Sequence, residues 1–553
     1  LLLISLASCR FSNSRETTTT LNLAIVNEPL SLEYQKIKDG TSISLVQMFN
    51  EGLMRINSDG GIEPGLACFY TENKDDTHFI FELRKDLKWS DGTALTAYDF
   101  EYSWKKLLNP QLHHPYAYLL FIIDNAEAAK MGQVGLDKVG IKALDDHHLS
   151  IKLIKPVPYF PGIVSFSTFY PSKKSIDDQL NENPKSKIQL SCSGPFKVTS
   201  WSSNQEIVLT KNDYYWDKKN VSIEKIKVSI VPNEKEAFAL YEKGKLDFIG
   251  DPFCTLPLEA IEALSKKGLL YKKLVAESNW CEINSTLPLL RNQKVRKALS
   301  LALDRASIAE EINGSFIKSS KSFLPRCLKL NNASISSQAQ PAKAQQLLLE
   351  GIEEEGLEFS MFPTLHLSFT DTQINRYISK ALQSQWKDYL GINVILDANK
   401  PSQYLKKLQK LDYDLGLINW AADFEDPISY LEVFKSADLS QGNHNFSGWQ
   451  DQRYVHLLNE ASNFKTSKTA TYEQRLDQRR EHLAEAEQLL LEACPVISLF
   501  DRNICWVQNP NLQGIGVSSL GWITFREAKF KESNLKTQAD NKKMAEEPPS
   551  EHL

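Results

Sequence analysis

The feature that most limits what this chain can fold into is the regular exchange of strand-like and helix-like patterns along almost its whole length. Residues 21–26 alternate and then run apolar, as a strand entering a sheet does. Residues 77–83 (Thr-His-Phe-Ile-Phe-Glu-Leu) predict a second strand, and Trp89-Ser90-Asp91-Gly92 a turn. Thr96-Ala97-Tyr98-Asp99 predicts a capping box, a hydroxyl at the N-cap and an acid three residues on. The helix it opens carries Phe100, Trp104, Leu107 and Leu108 on one stripe and stops before Pro110. Further strands are predicted at 149–154, 206–210, 225–231, 365–369, 392–396 and 413–419. Helices are predicted near 234–243, 292–313, 341–350, 372–389, 401–410, 427–435 and 473–492. Strands mixed with helices in this way build α/β lobes, not a bundle or a sandwich. A chain of 553 residues exceeds one core, and the domain-size prior gives about three to four compact units. No internal repeat of about 20–50 residues is visible.

The charge balance narrows the partners. The formal net charge is -5, with Lys and Arg interspersed among Asp and Glu. There is no basic face to track phosphates, which argues against nucleic acid. Ten Trp, 19 Tyr and 26 Phe can build large cores or aromatic-lined pockets. Leu1-Leu2-Leu3-Ile4-Ser5-Leu6-Ala7-Ser8-Cys9 reads as the end of an apolar signal region with a small-residue cleavage site. It carries no Met and no cationic stretch, so a truncated leader is expected. Leu6-Ala7-Ser8-Cys9 resembles a bacterial lipobox, which makes Cys9 the expected lipid attachment point, followed by a polar tether to about residue 19. No other segment reaches the roughly 18 apolar residues needed to span a bilayer. Membrane contact by a lipid anchor alone, outside the cytoplasm, is therefore expected. Residues 531–553 are almost devoid of apolar side chains and are expected to be a disordered tail.

Catalysis and metal binding find no support. The pairs His113-His114 and His147-His148 are sequence neighbours whose side chains diverge, which rarely suits one metal. H-E-x-x-H, G-x-S-x-G and Walker A patterns are missing from the sequence. Ser315-Phe316-Ile317-Lys318 matches S-x-x-K without the companion motifs. Apart from Cys9, the seven remaining cysteines are scattered, with no zinc spacing. Cys494 and Cys505 flank an apparent turn between two apolar runs, and two reduced, buried thiols are expected there. The reading is a protein that is not an enzyme and has no catalytic residue, cofactor or metal.

Several blocks together resemble the peptide/nickel class of bacterial solute-binding proteins, most closely the oligopeptide-binding members. The longest starts at Gly65-Leu66-Ala67, continues through Phe79-Ile80-Phe81-Glu82-Leu83-Arg84-Lys85-Asp86, and reaches Lys88-Trp89-Ser90-Asp91-Gly92-Thr93 and Tyr102-Ser103-Trp104. Pro156-Val157-Pro158-Tyr159-Phe160, Ser193-Gly194-Pro195-Phe196, Gly244-Lys245-Leu246-Asp247 and Asn292-Gln293-Lys294-Val295-Arg296 follow in the same order, as does Leu390-Gly391-Ile392-Asn393-Val394. The resemblance covers roughly residues 20 to 530. It implies a two-lobed periplasmic-binding-protein fold with a hinge and an extra α/β domain on the first lobe. The implied division is 20–40, 175–275 and 505–530 for the first lobe, 41–174 for the extra domain, and 276–504 for the second lobe. A monomer that takes an oligopeptide into the cleft and hands it to an ABC permease is the implied function. Murein peptide, glutathione, a nickel chelate or haem are alternative ligands among such proteins, and a secreted hydrolase is the alternative from another class.

The stretch from Asp414 to Pro427 carries the implied site. A strand ends near Trp420, and Asp426-Pro427 predicts a helix start, so Asp426 has a structural job and Asp423 has none. In oligopeptide-binding relatives the matching acid pairs with the peptide's α-ammonium, so the resemblance implies that role for Asp423. By the same resemblance Glu28 supports the ligand's amino end, Tyr116 reaches the peptide, and Trp420 and Ala421 wall the site. Leu417 and Asn375 stand where a relative carries basic groups for the ligand's carboxylate. Cys281 and Ala421 do not reproduce that relative's cysteine pair. The amino end of the ligand is thus better provided for than the carboxyl end.

Overall fold

The structure is a computed structural model. It describes residues 19–29, 31–32, 37, 40–73, 77–112, 114, 116–176, 190–312, 316–330, 334–439, 443–462 and 471–531. Cys9, with the lipobox, and all of the expected tail after Lys531 lie outside these residues.

The chain opens with β1 (Thr20–Ile25), then β2 (Ala67–Glu72), β3 (His78–Leu83) and α1 (Ala97–Leu107). β4 (Ile141–Ala143), β5 (His148–Lys152), β6 (Phe196–Ser202), β7 (Glu206–Lys211) and β8 (Lys225–Ile230) follow. α2 (Glu234–Glu242) leads to β9 (Phe248–Gly250) and the long strand β10 (Tyr271–Ile283). Next come α3 (Gln293–Leu301), α4 (Arg305–Ile312), β11 (Ile317–Ser319) and α5 (Pro341–Glu354). β12 (Leu365–Thr370), α6 (Gln373–Leu390), β13 (Val394–Asn399), α7 (Pro401–Gln409) and β14 (Leu415–Ala421) continue the alternation. α8 (Tyr472–Ala493) then delivers the chain into β15 (Val496–Gln508).

Local chemistry sets several boundaries. α1 starts at the expected capping box, with Asp99 accepting a 2.8 Å bond from the Thr96 amide. α6 starts on the Thr372 hydroxyl and ends on Gly391, whose φ of +72° suits a residue without a Cβ. The helix expected over 292–313 is two helices. Asp304 accepts from the Ser307 amide and caps α4, while the buried Arg305 guanidinium donates to the Ser300 and Ser498 carbonyls at the break.

β1, β8, β7 and β6 make one four-stranded sheet, and β2, β3, β5 and β4 another. Leu21, Phe79, Trp104 and Phe196 nevertheless belong to one continuous core, so the inserted sheet is fused to the first lobe. The second lobe is built on a mixed sheet of order β9-β15-β10-β14-β12-β13, with β11 on β15. Helices α3, α5 and α6 cover one face through Val295, Leu348 and Trp386. Trp280, Tyr430, Tyr454 and Leu483 pack a separate core.

β10 and β15 join the lobes. Their outer ends (Val275, Ile504, Trp506) lie in the first core and their inner ends (Cys281, Ile283, Ile497, Phe500) in the second. Their register breaks between Leu274 and Ser278, and on the outer end of β15 Cys505 and Val507 also pack in the second core. The turn expected between Cys494 and Cys505 is not there: β15 runs through it without interruption, and both cysteines are free, buried thiols. Asp501-Arg502-Asn503 read as a turn because three polar residues interrupt an apolar run. In the fold their charges are matched: Asp501 to Arg326 at 3.0 Å, and Arg502 to Glu277 at 2.6 Å and Asp251 at 3.6 Å.

Candidate functional site

β14 is paired on one side over its full length and on the other only in part. The Ala422 amide donates to the Ala276 carbonyl just beyond the strand's end, so even-numbered residues direct their backbone groups at β10 and odd-numbered ones away from it. On that far side β12 pairs no further than Phe369 with Leu417. The next carbonyl of β12, that of Thr370, is taken by the Thr372 amide and the Asn375 side chain. The N–H and C=O groups of Asn419 and Ala421 therefore form an open strand edge, and both residues are exposed.

A cavity of about 970 Å³ adjoins this edge between the lobes. The second lobe contributes Leu417, Asn419, Trp420 and Asn375 to its wall, and Glu234, Lys235 and Glu259 face it from the other side. Trp420 is half-buried, its ring 5.4 Å from that of His444, and its backbone carbonyl accepts from the Tyr430 hydroxyl. Its buried Nε1–H has no acceptor among the described residues.

Past the end of β14 the second lobe meets the inserted sheet's domain. Asp423 accepts a 2.6 Å bond from the Tyr118 hydroxyl across this seam. Burial raises the Asp423 carboxyl above its ordinary value, and the Tyr118 bond opposes the rise. No Lys, Arg or His among the described residues pairs with it. Next to it Phe424 stacks on Tyr159 with centroids 4.8 Å apart and planes within 2°. Asp426 has the opposite situation: Arg479 grips it with two bonds of 2.7 and 3.0 Å, and it accepts from the Ile428 amide at 2.9 Å. Three residues apart, one acid is fully committed to the fold and the other has a single hydroxyl.

Trp420, which lines the cavity, and Ala421 close β14, and Asp423 follows just past its end. Glu28 lies elsewhere on the first lobe. Against a desolvation that would raise it, bonds from Trp201, Ser203 and the Asn204 amide hold its carboxyl below the ordinary value. Tyr116 packs its ring on Phe166 at 5.3 Å, inside the inserted domain. The hydroxyl that reaches Asp423 belongs to Tyr118, two residues further on. Nothing local singles out the second tyrosine: Tyr116 precedes and Tyr118 lies within one short 3₁₀ turn (Ala117–Leu120), and the partner is 305 positions away. The Asn419 edge is equally illegible locally, since it exists only because β12 turns away after Phe369. Among the described residues no cluster of His, Cys, Asp and Glu could hold a metal ion, and no helix is long and apolar enough to cross a membrane.

Residues 61–441 match the family model for bacterial extracellular solute-binding proteins, family 5. The chain belongs to that family. Among family relatives, the oligopeptide-binding protein of Bacillus subtilis is 35% identical over 518 residues, 93% of each chain. The periplasmic oligopeptide-binding protein of Salmonella typhimurium is 28% identical over 486 residues, covering 86% of this chain and 85% of its own. Of solved structures, a periplasmic oligopeptide-binding protein from Borrelia burgdorferi superimposes with a TM-score of 0.76 at 26% identity, over 93% of this chain and 100% of that one. The Escherichia coli murein tripeptide-binding protein gives 0.75 at 25%, over 93% and 98%. Family 5 members are substrate-binding proteins with the two-lobed α/β fold, and this chain has both the fold and the interlobe cavity.

Proposed function

We propose that this family 5 protein captures oligopeptides in the cleft, amino end at Asp423, and passes them to an ABC permease from a lipid-anchored position outside the cytoplasm. The observation that carries the peptide assignment is the state of Asp423: a half-buried carboxylate with no cation among the described residues, at the end of an open strand edge. Enclosing an ammonium costs several kcal/mol unless an anion meets it, and an unmatched buried carboxylate carries the mirror-image cost. A ligand α-ammonium at Asp423 relieves both and makes charge-assisted bonds. From there an extended backbone runs beside β14, where Asn419 and Ala421 offer their N–H and C=O groups as a sheet edge does to an added strand. Backbone pairing of this kind reads no side chain. The names of the relatives agree with a peptide ligand, and Cys9 remains the proposed anchor.

The test is calorimetric titration of protein refolded to shed carried ligand, with tri- to pentapeptides and their N-acetylated forms. Acetylation is expected to abolish binding, and Asp423→Ala to weaken it by about tenfold or more, the equivalent of one charge-assisted contact. Equal binding of both peptide forms, or an unchanged Asp423→Ala, removes Asp423 from the anchor role.

A further inference from the structure

The interlobe cavity carries a second, separate message in its charge. Four charged side chains line it: Glu234, Glu259, Lys235 and Arg502. Of the two cations, Arg502 is held by carboxylates of the fold and Lys235 is exposed. Arg502 lies with its guanidinium 5.0 Å from the centre of the Phe316 ring, bonded to Glu277 at 2.6 Å and 3.6 Å from Asp251. Lys235 stands 4.0 Å from Glu259 at the exposed rim. Glu277 and Asp251 lie directly behind Arg502, so the local sum of these six groups is negative by two charges. The wall also holds Tyr404, kept neutral by burial and donating to the Leu417 carbonyl, and His444, which faces Trp420. Burial lowers it from its ordinary value, so its imidazole is neutral at neutral pH.

The rest of the wall beside β14 is apolar or amide. Leu417 and Phe316 supply apolar surface, Asn375 and Asn419 supply amides, and the Trp420 indole presents a buried N–H with no acceptor. A carboxylate entering here would leave water for a wall in which Arg502 is already held by Glu277 and Asp251 and Lys235 stands at the exposed rim, in a field that is already negative. An uncharged carbonyl loses less and can accept from the indole. A cation meets a favourable field and an aromatic ring.

We propose that this cavity gives a carboxylate no advantage over uncharged or cationic groups, so that the protein takes peptides with an amidated or otherwise blocked carboxyl end at least as well as free acids. This rests on the reading of the cleft as a peptide site with its amino anchor at Asp423, and it adds the chemical class accepted at the other end. It also predicts tolerance of ligand length, because no charge fixes where the carboxyl end must lie.

Matched tri-, tetra- and pentapeptides, each as free acid and as carboxamide and all with a free amino end, would be titrated into the refolded full chain. The amide is expected to bind as tightly as the acid or up to about tenfold tighter, the size of one charge-dependent contact. An amide that binds fivefold or more weakly than its acid, on the order of 1 kcal/mol, overturns the proposal. A third member of each set, acetylated at the amino end and amidated at the other, separates the two ideas. If it binds like the simple amide, the Asp423 anchor fails on its own terms. If no peptide binds in any form, both the peptide reading and this proposal fall. The variant Asn375→Arg places a cation in the wall and is expected to create a preference for the free acid of about tenfold. An Asn375→Arg protein that still binds the amide and shows no such preference would overturn the placement of the carboxyl end in this cavity.

Discussion

Two regions hold the lobes of this protein together, and they use buried charge in opposite ways. Where β10 and β15 run between the lobes, the charges are paired within the fold: Arg502 has Glu277 and Asp251, and the neighbouring Asp501 has Arg326. Where the inserted domain meets the second lobe, Asp423 has one phenol, and the stack of Phe424 on Tyr159 supplies the apolar contact. The crossing is covalently continuous and its charges are mutually satisfied, so a ligand has nothing to offer it. The seam is built from contacts that can part, around a carboxylate that a cation would stabilise. Charge available to a ligand is the charge the fold has left without an opposite charge; a raised carboxyl alone does not mark it, since burial also pushes Asp501 at the crossing up to about 6 although Arg326 pairs with it.

The largest expected effect tests the crossing. Arg502→Leu leaves Glu277 and Asp251 without their cation, and breaking a buried pair from one side costs about 3–5 kcal/mol. Urea unfolding of the unliganded protein should show a loss near the lower end of that range, because the guanidinium keeps some contact with the cavity. Replacing Glu277 by Leu as well should return part of the loss. A single-variant loss below about 1 kcal/mol, as for an exposed pair, would erase the contrast between the two regions.

A pH profile tests the seam. Burial raises the Asp423 carboxyl in the free protein, whereas in the unfolded chain it titrates near 3.9. With a raised folded value, the native state holds the proton over the interval between the two. The contribution of this group to stability is therefore full below the unfolded value and is lost as pH rises through the folded one. Ligand binding has the opposite slope, because an ammonium needs the ionised form. Peptide affinity should fall as pH is lowered, starting above the ordinary Asp range, and Asp423→Asn should flatten that acid limb while weakening binding. An acid limb that survives in Asp423→Asn would move the titrating anchor elsewhere.

Much of the scaffold was readable from local pattern, because local pattern caused it. The Thr96–Asp99 box starts α1, and Gly391 ends α6, for reasons complete within a few residues. The α/β alternation and the family blocks led to the two-lobed fold. The errors share one cause, polar residues satisfied from far away. Asp501-Arg502-Asn503 suggests a turn until Arg326, Glu277 and Asp251 arrive from other elements to pair with the charges. Arg305 seems a mid-helix residue until the Ser498 carbonyl, 193 positions on, receives it at the break between α3 and α4. The site divides in the same way. Asp426 could be given a structural role from the proline that follows it, though its Arg479 partner could not be foreseen. Tyr118 and the Asn419 edge had no local signature, since one depends on domain packing and the other on where β12 stops.

The smallest expected effect bears on the seam's own closure. In Tyr118→Phe, Asp423 loses the one hydrogen bond among the described residues that opposes its raised value, which should make the carboxylate harder to form. The same change removes a donor that an incoming ammonium must share or displace, which should make the carboxylate easier to reach. A bond to a charged group is worth about 1.5–3 kcal/mol, and because it enters both sides of this exchange most of it should cancel. Affinity is then expected to move by no more than about threefold. Closure should respond more clearly, since the phenol is a polar link between the two domains while the Tyr159–Phe424 stack is retained. Small-angle scattering of the unliganded variant should show a larger radius of gyration than the wild type, and saturating peptide should bring the two together. A tenfold loss of affinity with unchanged scattering would mean that Tyr118 touches the ligand itself. The seam would then be part of the peptide site and would cease to be a latch beside it.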